Sequence, residues 1–555
     1  MKTAGGQWRF SPRHCEPMKQ TDFIFISQSE TVQYDTYTQW PLSRVGLFEH
    51  LIFPRLVRYK EKFHSHLDLI NQFVFGCSFF EAPFEKRRQM LSVWSLPSFS
   101  GLYLANYLKL FNISTAIINN FDAEQDIFEA AYKSCGPEVT VGLSTTFHLN
   151  WSSVNRLVTR LRSVDPEMHI IAGGAMFPSL AQNKPPHSWK ADLKWAGLNA
   201  ALFGMNSEED LKDYLTARKS NSLMPCGSNV VWFDSHGTFH TQCSKWRPPI
   251  SSDWPDNVSQ INLPFLKRTL QLRTSVGCPF SCSFCSYPVL ARGFYPIDLK
   301  EVELMLKALA GRGLSQLVIL DDTVNISKSR LFDLGRIIDK NKLRWFAFVR
   351  AQMLDEETVM MMRDTGCQMV FLGLESGHDS ILANMRKKAN RKTLERGVEL
   401  LRKYDIKTMG AFIIGFPGEN DTTIKATKDF IENGGLDFYT LKEFFYIPGA
   451  GVGSMANDFG LIGAGDKWSH KTMNSTEASA IKADLFKQIK SPVHLDADTS
   501  LWGVVTMLDA GFTMTEATKA QQCINQVVKD QMNGFFDDHH PGLTALSKVC
   551  DRLRD

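Results

Sequence analysis

Three cysteines within one short stretch are the residues of this 555-residue chain whose types and spacing most directly suggest chemistry. They are Cys278, Cys282 and Cys285, and they follow an apolar run that is predicted to be a strand ending at Gly277. Three thiolates at this spacing can hold three irons of a four-iron cluster, for which four cysteines are the usual set. The missing fourth ligand leaves one iron open, as in catalytic metal sites. An open iron can chelate the amino and carboxylate groups of a small molecule.

A zinc site and scattered structural thiols are the other two interpretations of these cysteines. Zinc favours a fourth Cys or His nearby, and the next cysteine along the chain is Cys367. The chain has 11 cysteines, an odd number with three in one motif, which does not indicate a disulfide framework. We therefore expect reduced thiols and a cytoplasmic protein.

Composition and charge narrow the class of protein. The hydrophobic content of 43% and charged content of 22% are typical of a soluble globular protein, and the length predicts several domains. A net charge of +3 gives no electrostatic reason to expect nucleic acid or an anionic membrane as a partner. The N-terminus lacks the apolar core of a signal peptide, and no apolar run is long enough to span a bilayer.

Short apolar runs alternate with helical patterns in the first half of the chain. We predict strands at residues 90–95, 115–118, 139–144 and 168–172, with helices between them. This alternation predicts a Rossmann-like parallel sheet, whose ligand lies beyond the carboxyl ends of the strands. Small residues at those ends leave room for a bulky ligand, and they are Ser98, Gly101, Ser144, Thr145, Thr146, Gly173 and Gly174.

A second series of strand–helix units begins at the strand before the cysteines. Six units in series predict a partial TIM-like barrel with its working face at the carboxyl ends of the strands. The cysteines fall at that face. Each of the other predicted strands is followed by a short group of polar or glycine residues. The main residues at these strand ends are Asp322, Arg350, Gly373, Glu375, Ser376, Gly415 and Phe416.

The cysteine motif and the barrel pattern together resemble the radical S-adenosylmethionine (SAM) superfamily. The Gly-Leu-Glu-Ser-Gly run at residues 373–377 matches the fourth-strand motif of that family, and residues 410–419 resemble its fifth-strand motif. The resemblance implies a [4Fe-4S] cluster on the three cysteines and SAM bound at the strand ends. It also implies an electron donor such as flavodoxin or ferredoxin.

The resemblance assigns roles to individual strand-end residues. Asp322 occupies the position that contacts the methionyl amine of SAM, and Glu375 and Ser376 would hydrogen-bond SAM. Backbone and apolar groups around Gly415 and Phe416 would hold the adenine. For Arg350 two interpretations stay open, because it can pair with a carboxylate of SAM or substrate or form a structural ion pair at the barrel mouth.

The region of the first predicted sheet resembles the cobalamin-binding domain that precedes many radical SAM barrels. In that resemblance the Ser-Thr-Thr and Gly-Gly loops hold the nucleotide tail, and Phe203 and Gly204 belong to the fifth loop. The loop after the first strand lacks the Asp and His that bind cobalt from below in some cobalamin proteins. Asp234 and His236 lie in a predicted hairpin turn instead. The other interpretation is a sheet domain that binds nothing.

We expect an α/β protein with five regions. They are an aromatic-rich extension (1–85), a Rossmann-like cobalamin-binding domain (86–215), a hairpin and linker (216–262), a radical SAM barrel (263–455) and a helical C-terminal region (456–555).

The resemblance implies a cobalamin-dependent radical SAM enzyme that methylates an unactivated carbon of a small-molecule or peptide natural product. In the family, one SAM methylates cob(I)alamin and another yields a 5′-deoxyadenosyl radical. Ring formation or rearrangement without methyl transfer is an alternative, as is a SAM-binding protein without turnover. A methylthiotransferase would need three further cluster cysteines, and Cys15, Cys77 and Cys135 lack a suitable pattern.

Overall fold

The computed structural model of this chain describes most residues from 55 onwards and one short segment before them. The described residues are 21–30, 55–136, 138–148, 150–182, 184–222, 224, 225, 227–242, 246, 247, 268–310, 313–495 and 500–554. Within them the chain forms two seven-stranded sheets and three smaller ones, with helices packed on the sheets.

The N-terminal half contains the first seven-stranded sheet. Its strands and one small hairpin are, in chain order, β1 (Phe23–Gln28), β2 (Leu56–Tyr59), β3 (Lys62–Ser65), β4 (Thr115–Asn120), β5 (Thr140–Ser144), β6 (His169–Gly173), β7 (Ala200–Leu202), β8 (Val230–Phe233) and β9 (Phe239–Thr241). Its helices are α1 (His66–Phe75), α2 (Phe84–Arg87), α3 (Phe99–Lys109), α4 (Phe121–Cys135), α5 (Trp151–Arg162), α6 (Met176–Ala181), α7 (Lys190–Ala196) and α8 (Glu208–Ser220).

The strand order of this sheet is β4-β1-β5-β6-β7-β8-β9, and β4 through β7 run parallel to β1. The order in which strands are added to the sheet reverses at β1, because β4 lies on one side of β1 and β5 lies on the other. Such a reversal opens a crevice at the carboxyl ends of the strands, where doubly wound sheets bind ligands. The Rossmann-like architecture predicted from the sequence is therefore confirmed.

The first strand of the sheet is not the one predicted. Residues 90–95 contain no strand, and Val93–Ser95 form a 3₁₀ helix that the Ser92 side chain caps at Trp94 N. The place between β4 and β5 is taken by β1. All six residues of β1 are buried, as expected for an inner strand. The sheet therefore draws on a segment that the sequence analysis assigned to the N-terminal extension.

The predicted hairpin is confirmed, and it extends the sheet instead of standing apart as a linker. β8 pairs antiparallel with β7, and β9 pairs antiparallel with β8. Asp234 closes the turn, since its backbone N–H donates to Thr238 O at 3.0 Å and its carboxylate accepts from the N–H of His236 at 2.9 Å. His236 is thus an exposed turn residue.

The C-terminal half contains the second seven-stranded sheet and its flanking hairpins. The strands are β10 (Thr269–Leu272), β11 (Ser275–Gly277), β12 (Phe294–Pro296), β13 (Gln316–Ile319), β14 (Arg344–Val349), β15 (Cys367–Glu375), β16 (Lys407–Ile414), β17 (Phe438–Glu443), β18 (Ile462–Ala464), β19 (Lys467–His470), β20 (Met473–Asn474) and β21 (Val493–His494). The helices are α9 (Tyr287–Ala291), α10 (Leu299–Ala310), α11 (Lys328–Lys340), α12 (Glu356–Asp364), α13 (Asp379–Asn384), α14 (Arg391–Lys403), α15 (Asp421–Asn433), α16 (Ala456–Phe459), α17 (Ser475–Gln488), α18 (Ser500–Asp509), α19 (Met514–Met532) and α20 (Pro541–Cys550). Across the described residues, no helix combines the length and the apolar character needed to cross a membrane.

This second sheet is parallel throughout and runs in the order β10-β13-β14-β15-β16-β17-β21. Its first six strands follow one another in sequence and are joined by helices, which confirms the predicted partial barrel. The sheet stays open, because β10 and β21 are its two edges.

The C-terminal helices and the N-terminal segment fill the open barrel together. The strand residues Phe346, Met369 and Met409 are fully buried in one core with the Ile524 side chain of α19 and Leu69 of α1. An open parallel sheet has an apolar inner face that must be covered, and these helices cover it. The helical C-terminal region is therefore continuous with the barrel core.

Truncating a side chain of α19 in this shared core tests that continuity. We expect Ile524→Ala to lower the free energy of unfolding by about 2–5 kcal/mol, because the removed atoms leave a cavity in a close-packed interior. The neighbouring Gln522 is exposed, so Gln522→Ala should change stability by no more than about 0.5 kcal/mol. Urea denaturation, followed by circular dichroism and by tryptophan fluorescence, checks both values. Separate transitions for the barrel and the helices would contradict a shared core.

Candidate functional site

The three cysteines lie in a loop that begins at the end of β11. Cys282 is buried, whereas Cys278 and Cys285 are half-buried. Gly277 precedes them with φ of +92°, and a Cβ there would lie 1.9 Å from the carbonyl oxygen of Gly293. Only glycine fits this close approach of two backbones, so the start of the loop is fixed by its own sequence.

Ser283, in the middle of the loop, ties it to the rest of the barrel mouth. Its backbone N–H donates to Met385 O at 2.9 Å, and its hydroxyl donates to Asn384 O at 2.8 Å. Its carbonyl accepts from the N–H of Val452 at 2.6 Å. The cysteine loop is thereby held against the chain that follows β15 and the chain that follows β17.

The donor set fits an iron–sulfur cluster better than a single zinc ion. Burial raises the pKa of Cys278, and it raises that of Cys285 to about 11. Among the described residues, no group of three or more His, Cys, Asp or Glu side chains is placed to hold one metal ion. Zinc requires its ligands to converge at about 2.3 Å, whereas in a cubane cluster each thiolate binds a different iron. These thiols would therefore surround a cluster, and its assembly would release their protons.

The two aspartates after β13 have different roles. Asp321 is buried, and its carboxylate accepts four hydrogen bonds of 2.6–3.0 Å from the backbone N–H groups and hydroxyls of Thr274 and Ser275. It therefore fixes the strand that leads to the cysteines. Asp322, the predicted SAM contact, is open at the barrel mouth beside Cys285. Crowding by protein atoms raises the pKa of Asp322 to about 6 through desolvation.

Arg350 lies directly against the cysteine loop. Its guanidinium is 3.9 Å from the centre of the Phe280 ring, and Nη1 is 3.6 Å from Cys282 Sγ. Nη2 donates to the carbonyl of Lys387. No ion pair involves Arg350 among the described residues, so the structure does not support the structural ion pair that the sequence left open. The side chain instead places a positive charge at one of the thiols.

The Gly-Leu-Glu-Ser-Gly motif after β15 contains a buried ion pair. Glu375 Oε1 lies 2.8 Å from Lys387 Nζ, and both side chains are at most 10% exposed. Glu375 adopts φ of +67°, a conformation that is strained for a residue with a side chain and that concentrates at functional sites. Gly373 makes room for the pair, because a Cβ there would lie 2.4 Å from Glu375 Oε1. The Ser376 hydroxyl is buried against Thr427 Oγ1 at 3.3 Å.

The loop after β16 is supported from the chain that follows the barrel. Glu419 Oε2 accepts from the backbone N–H groups of Gly415 at 2.6 Å and Phe416 at 3.2 Å. His470 Nε2 lies 3.0 Å from Gly415 O, and the indole of Trp468 stacks on the His470 imidazole. The Phe416 side chain is fully buried, so this loop presents backbone to the barrel mouth.

A cavity of about 360 Å³ lies between the carboxyl ends of the first sheet and the first strands of the barrel. Predicted cobalamin-binding residues that line it are Ser98, Ser144, Thr146, Gly173, Gly174 and Gly204. Barrel residues close its other side, among them Gln271, Val276 and Leu320. The structure therefore brings most of the predicted loop residues to one interdomain space.

Three of the predicted cobalamin residues do not line that space. A Cβ on Gly101 would lie 2.3 Å from Ser27 Oγ, so this glycine allows α3 to pack on β1. The Thr145 hydroxyl is buried and donates to Gly173 O at 2.9 Å. Phe203 is buried in the core with its ring edge-on to Trp189. Gly101, Thr145 and Phe203 therefore support the loops from behind.

Sequence reasoning did not select several polar residues of the cavity wall as site residues, among them Arg273, Tyr287 and Glu208, the last of which ends the predicted fifth loop. Glu208 begins α8, Arg273 follows β10, and Tyr287 follows the last cysteine by two residues. Burial raises the pKa of Glu208 to about 7 and that of Tyr287 to about 12. The available signal was their position directly beyond strand ends or beside the cysteine motif.

This part of the chain is a partial parallel barrel, and its mouth contains a three-cysteine loop and polar strand ends. These features are typical of α/β domains that hold a metal cluster for catalysis. Residues 272–431 match the family model of the radical SAM superfamily, and this match spans the strands that bear the cysteine loop and the Gly-Leu-Glu-Ser-Gly motif.

Two curated relatives and one solved fold give the wider comparison. The chain is 28% identical over 220 residues to bacteriochlorophyllide d C-12(1)-methyltransferase of Chlorobaculum tepidum, covering 38% of this chain and 48% of that one. It is 23% identical over 351 residues to the anaerobic magnesium-protoporphyrin IX monomethyl ester cyclase of Rubrivivax gelatinosus, covering 59% and 60%. The chain thus spans less than two thirds of each relative.

The whole fold is similar to the radical SAM methyltransferase TsrM from Kitasatospora setae. The TM-score is 0.51 at 16% sequence identity, over 79% of this chain and 78% of that one. Structures of TsrM contain cobalamin and a [4Fe-4S] cluster, or tryptophan as substrate with the SAM analogue aza-SAM. At this level of identity the similarity concerns the fold alone.

Adding a methyl group at Gly373 tests the buried ion pair after β15. We expect Gly373→Ala to destabilise the protein by about 1–3 kcal/mol, because its Cβ displaces Glu375 from Lys387. Gly173→Ala is the matched control, since its Cβ would meet nothing closer than Leu202 Cβ at 3.5 Å. Thermal denaturation of the two cofactor-free variants makes the comparison. Equal stability would mean that Glu375 and Lys387 adjust without cost.

Proposed function

We propose that this chain is a cobalamin-dependent radical SAM enzyme that methylates an unactivated carbon of a small-molecule or peptide substrate. The observation that carries the proposal is a cavity between the Rossmann-like strand ends and the first strands of the cysteine-bearing barrel. A methyl carrier in the first sheet and a radical source in the second would meet there. The fold shared with TsrM and the partial similarity to a bacteriochlorophyllide methyltransferase support it.

The proposed cluster would be held by Cys278, Cys282 and Cys285. A cluster of this type, once reduced by a donor such as flavodoxin or ferredoxin, supplies the electron that cleaves bound SAM to a radical. The cysteine loop keeps its position through Ser283, and Arg350 offsets negative charge at Cys282. Free thiols are needed for cluster assembly, which favours a cytoplasmic setting.

SAM would lie across the ends of β13, β15 and β16. Asp322 would accept from the methionyl ammonium, and the Glu375–Lys387 pair would border the ribose or methionyl end. The backbone around Gly415 and Phe416 would face the adenine, held in place by Glu419. These roles remain predictions that follow from the matched motifs.

Cobalamin would lie at the carboxyl ends of the first sheet, on the loops that contain Ser144, Thr146 and Gly174. Gly174 has φ of +116°, and a Cβ there would lie 2.9 Å from Thr145 N. The two loops therefore pack closely and expose backbone and hydroxyl groups to the cavity. The space measures about 360 Å³, which is within the usual range of ligand pockets, so a corrinoid would occupy only the part beside these loops and would extend along the interdomain face.

Ring formation without methyl transfer is the second candidate function. It is favoured by the similarity to the magnesium-protoporphyrin ester cyclase, which extends over 59% of this chain, more than the similarity to the methyltransferase. Both functions would use the same three cysteines and the same strand ends. The identity of the product distinguishes them, because only one adds a methyl group from SAM.

Cofactor content is the first measurement that tests the proposal. After anaerobic reconstitution with iron, sulfide and hydroxocobalamin, we expect about four irons and one cobalt per chain. Cys282→Ala should lose most of the iron, because one of three ligands is gone, and should keep the cobalt. With dithionite and SAM, the wild type should release 5′-deoxyadenosine.

Each alternative result has a definite meaning. Iron without cobalt would contradict methyl transfer through cobalamin and leave a radical SAM enzyme with a different ligand in its first sheet. Absence of iron from the wild type would contradict the cluster. Full cofactor content without cleavage of SAM would favour a binding protein.

Removing the charge of Arg350 should change the reduction potential of the cluster. The Arg350 guanidinium touches Cys282 Sγ and stabilises added negative charge, so Arg350→Gln should lower the midpoint potential. A charge interaction of about 1–3 kcal/mol corresponds to roughly 40–130 mV for one electron. Arg350→Lys keeps the charge and should shift the potential less. Redox titration followed by electron paramagnetic resonance, on samples with equal iron content, measures the shift. Equal potentials in all three proteins would contradict the electrostatic role.

A further inference from the structure

Arg273 is a half-buried, positively charged residue of the interdomain cavity, and it forms no ion pair or hydrogen bond with any residue that the structure describes. It follows β10 and lines the cavity wall. Its Nε is buried and has no hydrogen-bond partner, and the guanidinium forms no ion pair with any described residue. A desolvated cation without an anion is costly, so this arrangement indicates a missing negative group.

The acidic residues near Arg273 do not provide that negative group. Glu208 and Asp322 are close enough to influence its charge, but neither forms an ion pair with it. Burial raises the pKa of Glu208 to about 7, so this carboxyl takes up a proton more readily than an exposed glutamate does. Its Oε2 also has no hydrogen-bond partner and can donate when protonated. Glu208 is then a neutral donor beside the guanidinium.

Arg273 lies apart from the proposed SAM residues of β15 and β16, and Asp322 is the predicted SAM residue that is near it. β10 is an edge of the barrel sheet, and β13 and β14 lie between it and β15. The predicted SAM residues of β15 and β16, among them Glu375, Ser376 and Gly415, do not line this cavity. The predicted cobalamin loops form its opposite wall. A ligand that reaches Arg273 therefore lies between the two proposed cofactors, where a substrate must be.

We propose that Arg273 binds a carboxylate of the substrate in this cavity, and that the substrate is therefore an acid. A carboxylate matches the planar fork of a guanidinium with two parallel hydrogen bonds. The remaining wall is largely apolar and aromatic, with Phe25, Phe99 and Phe147 among its residues. The substrate class is thus an organic acid with an apolar or aromatic body. This inference rests on the proposed function, because it places the acid beside the reacting centre.

A pair of probes that differ only in charge tests the proposal. The probes are 3-(4-fluorophenyl)propionate and its amide, and their binding to the cobalamin- and iron-loaded protein is followed by fluorine nuclear magnetic resonance. We expect the wild type to bind the acid at least about 10-fold more tightly than the amide, because a hydrogen-bonded charge is worth about 1.5–3 kcal/mol. Arg273→Gln should remove this preference. Arg273→Lys should retain part of it, since the charge stays and the planar fork is lost.

The matched control is Arg336→Gln, which makes the same chemical change on the exposed surface of α11. It should bind both probes as the wild type does. A preference for the acid that persists in Arg273→Gln would overturn the proposal, and so would equal binding, or no binding, of the two probes by the wild type. Iron and cobalt are measured in the same samples. Full cofactor content with no acid preference contradicts only this inference, whereas missing cobalt contradicts the proposed function itself.

Discussion

The rest of this structure depends on the need to cover the inner face of an open parallel sheet. Six strand–helix units do not close a barrel, and the apolar side chains of Phe346, Met369 and Met409 would otherwise face water. Helices from the C-terminal region and a segment from the N-terminus fill this space. The carboxyl ends of the strands form the mouth of the barrel. The Rossmann-like sheet lies opposite the first strands of this mouth. The cavity between the two sheets follows from this arrangement.

Polar residues at the mouth fall into two groups with different physical roles. Asp321, Glu419 and the Glu375–Lys387 pair are buried and hydrogen-bonded, and they hold strand ends and loops in place. Arg273 and Glu208 contain buried polar atoms without partners. Because an unpaired buried polar group costs free energy, the second group marks the positions where we propose that a ligand binds. The first group keeps those positions rigid.

Most strands and the cysteine site could be predicted from the sequence, because they depend on local patterns. Alternating apolar runs and helical periods define βα units wherever they occur, and parallel strands bring their carboxyl ends to one edge. The segment at residues 90–95 shows the limit of this reasoning. It is as apolar as a buried strand, but β1 occupies the place, more than sixty residues earlier. Which run pairs with β4 and β5 is a long-range choice that local composition does not encode.

The sequence alone determined the superfamily motif, which depends on short-range spacing. It also determined the two series of parallel strands and, from the direction of those strands, the end of each sheet at which a ligand is expected. Only the tertiary structure decided which polar side chains face the cavity. Thr145 and Ser376 turn inward because Gly173 O and Thr427 Oγ1, from distant segments, offer them partners. Arg273 lines the cavity, and its buried Nε has no hydrogen-bond partner among the described residues. Hydrogen-bond partners that are far apart in the chain meet only after folding. A buried polar side chain that finds such a partner supports the structure, whereas one that finds none is a candidate for binding a ligand.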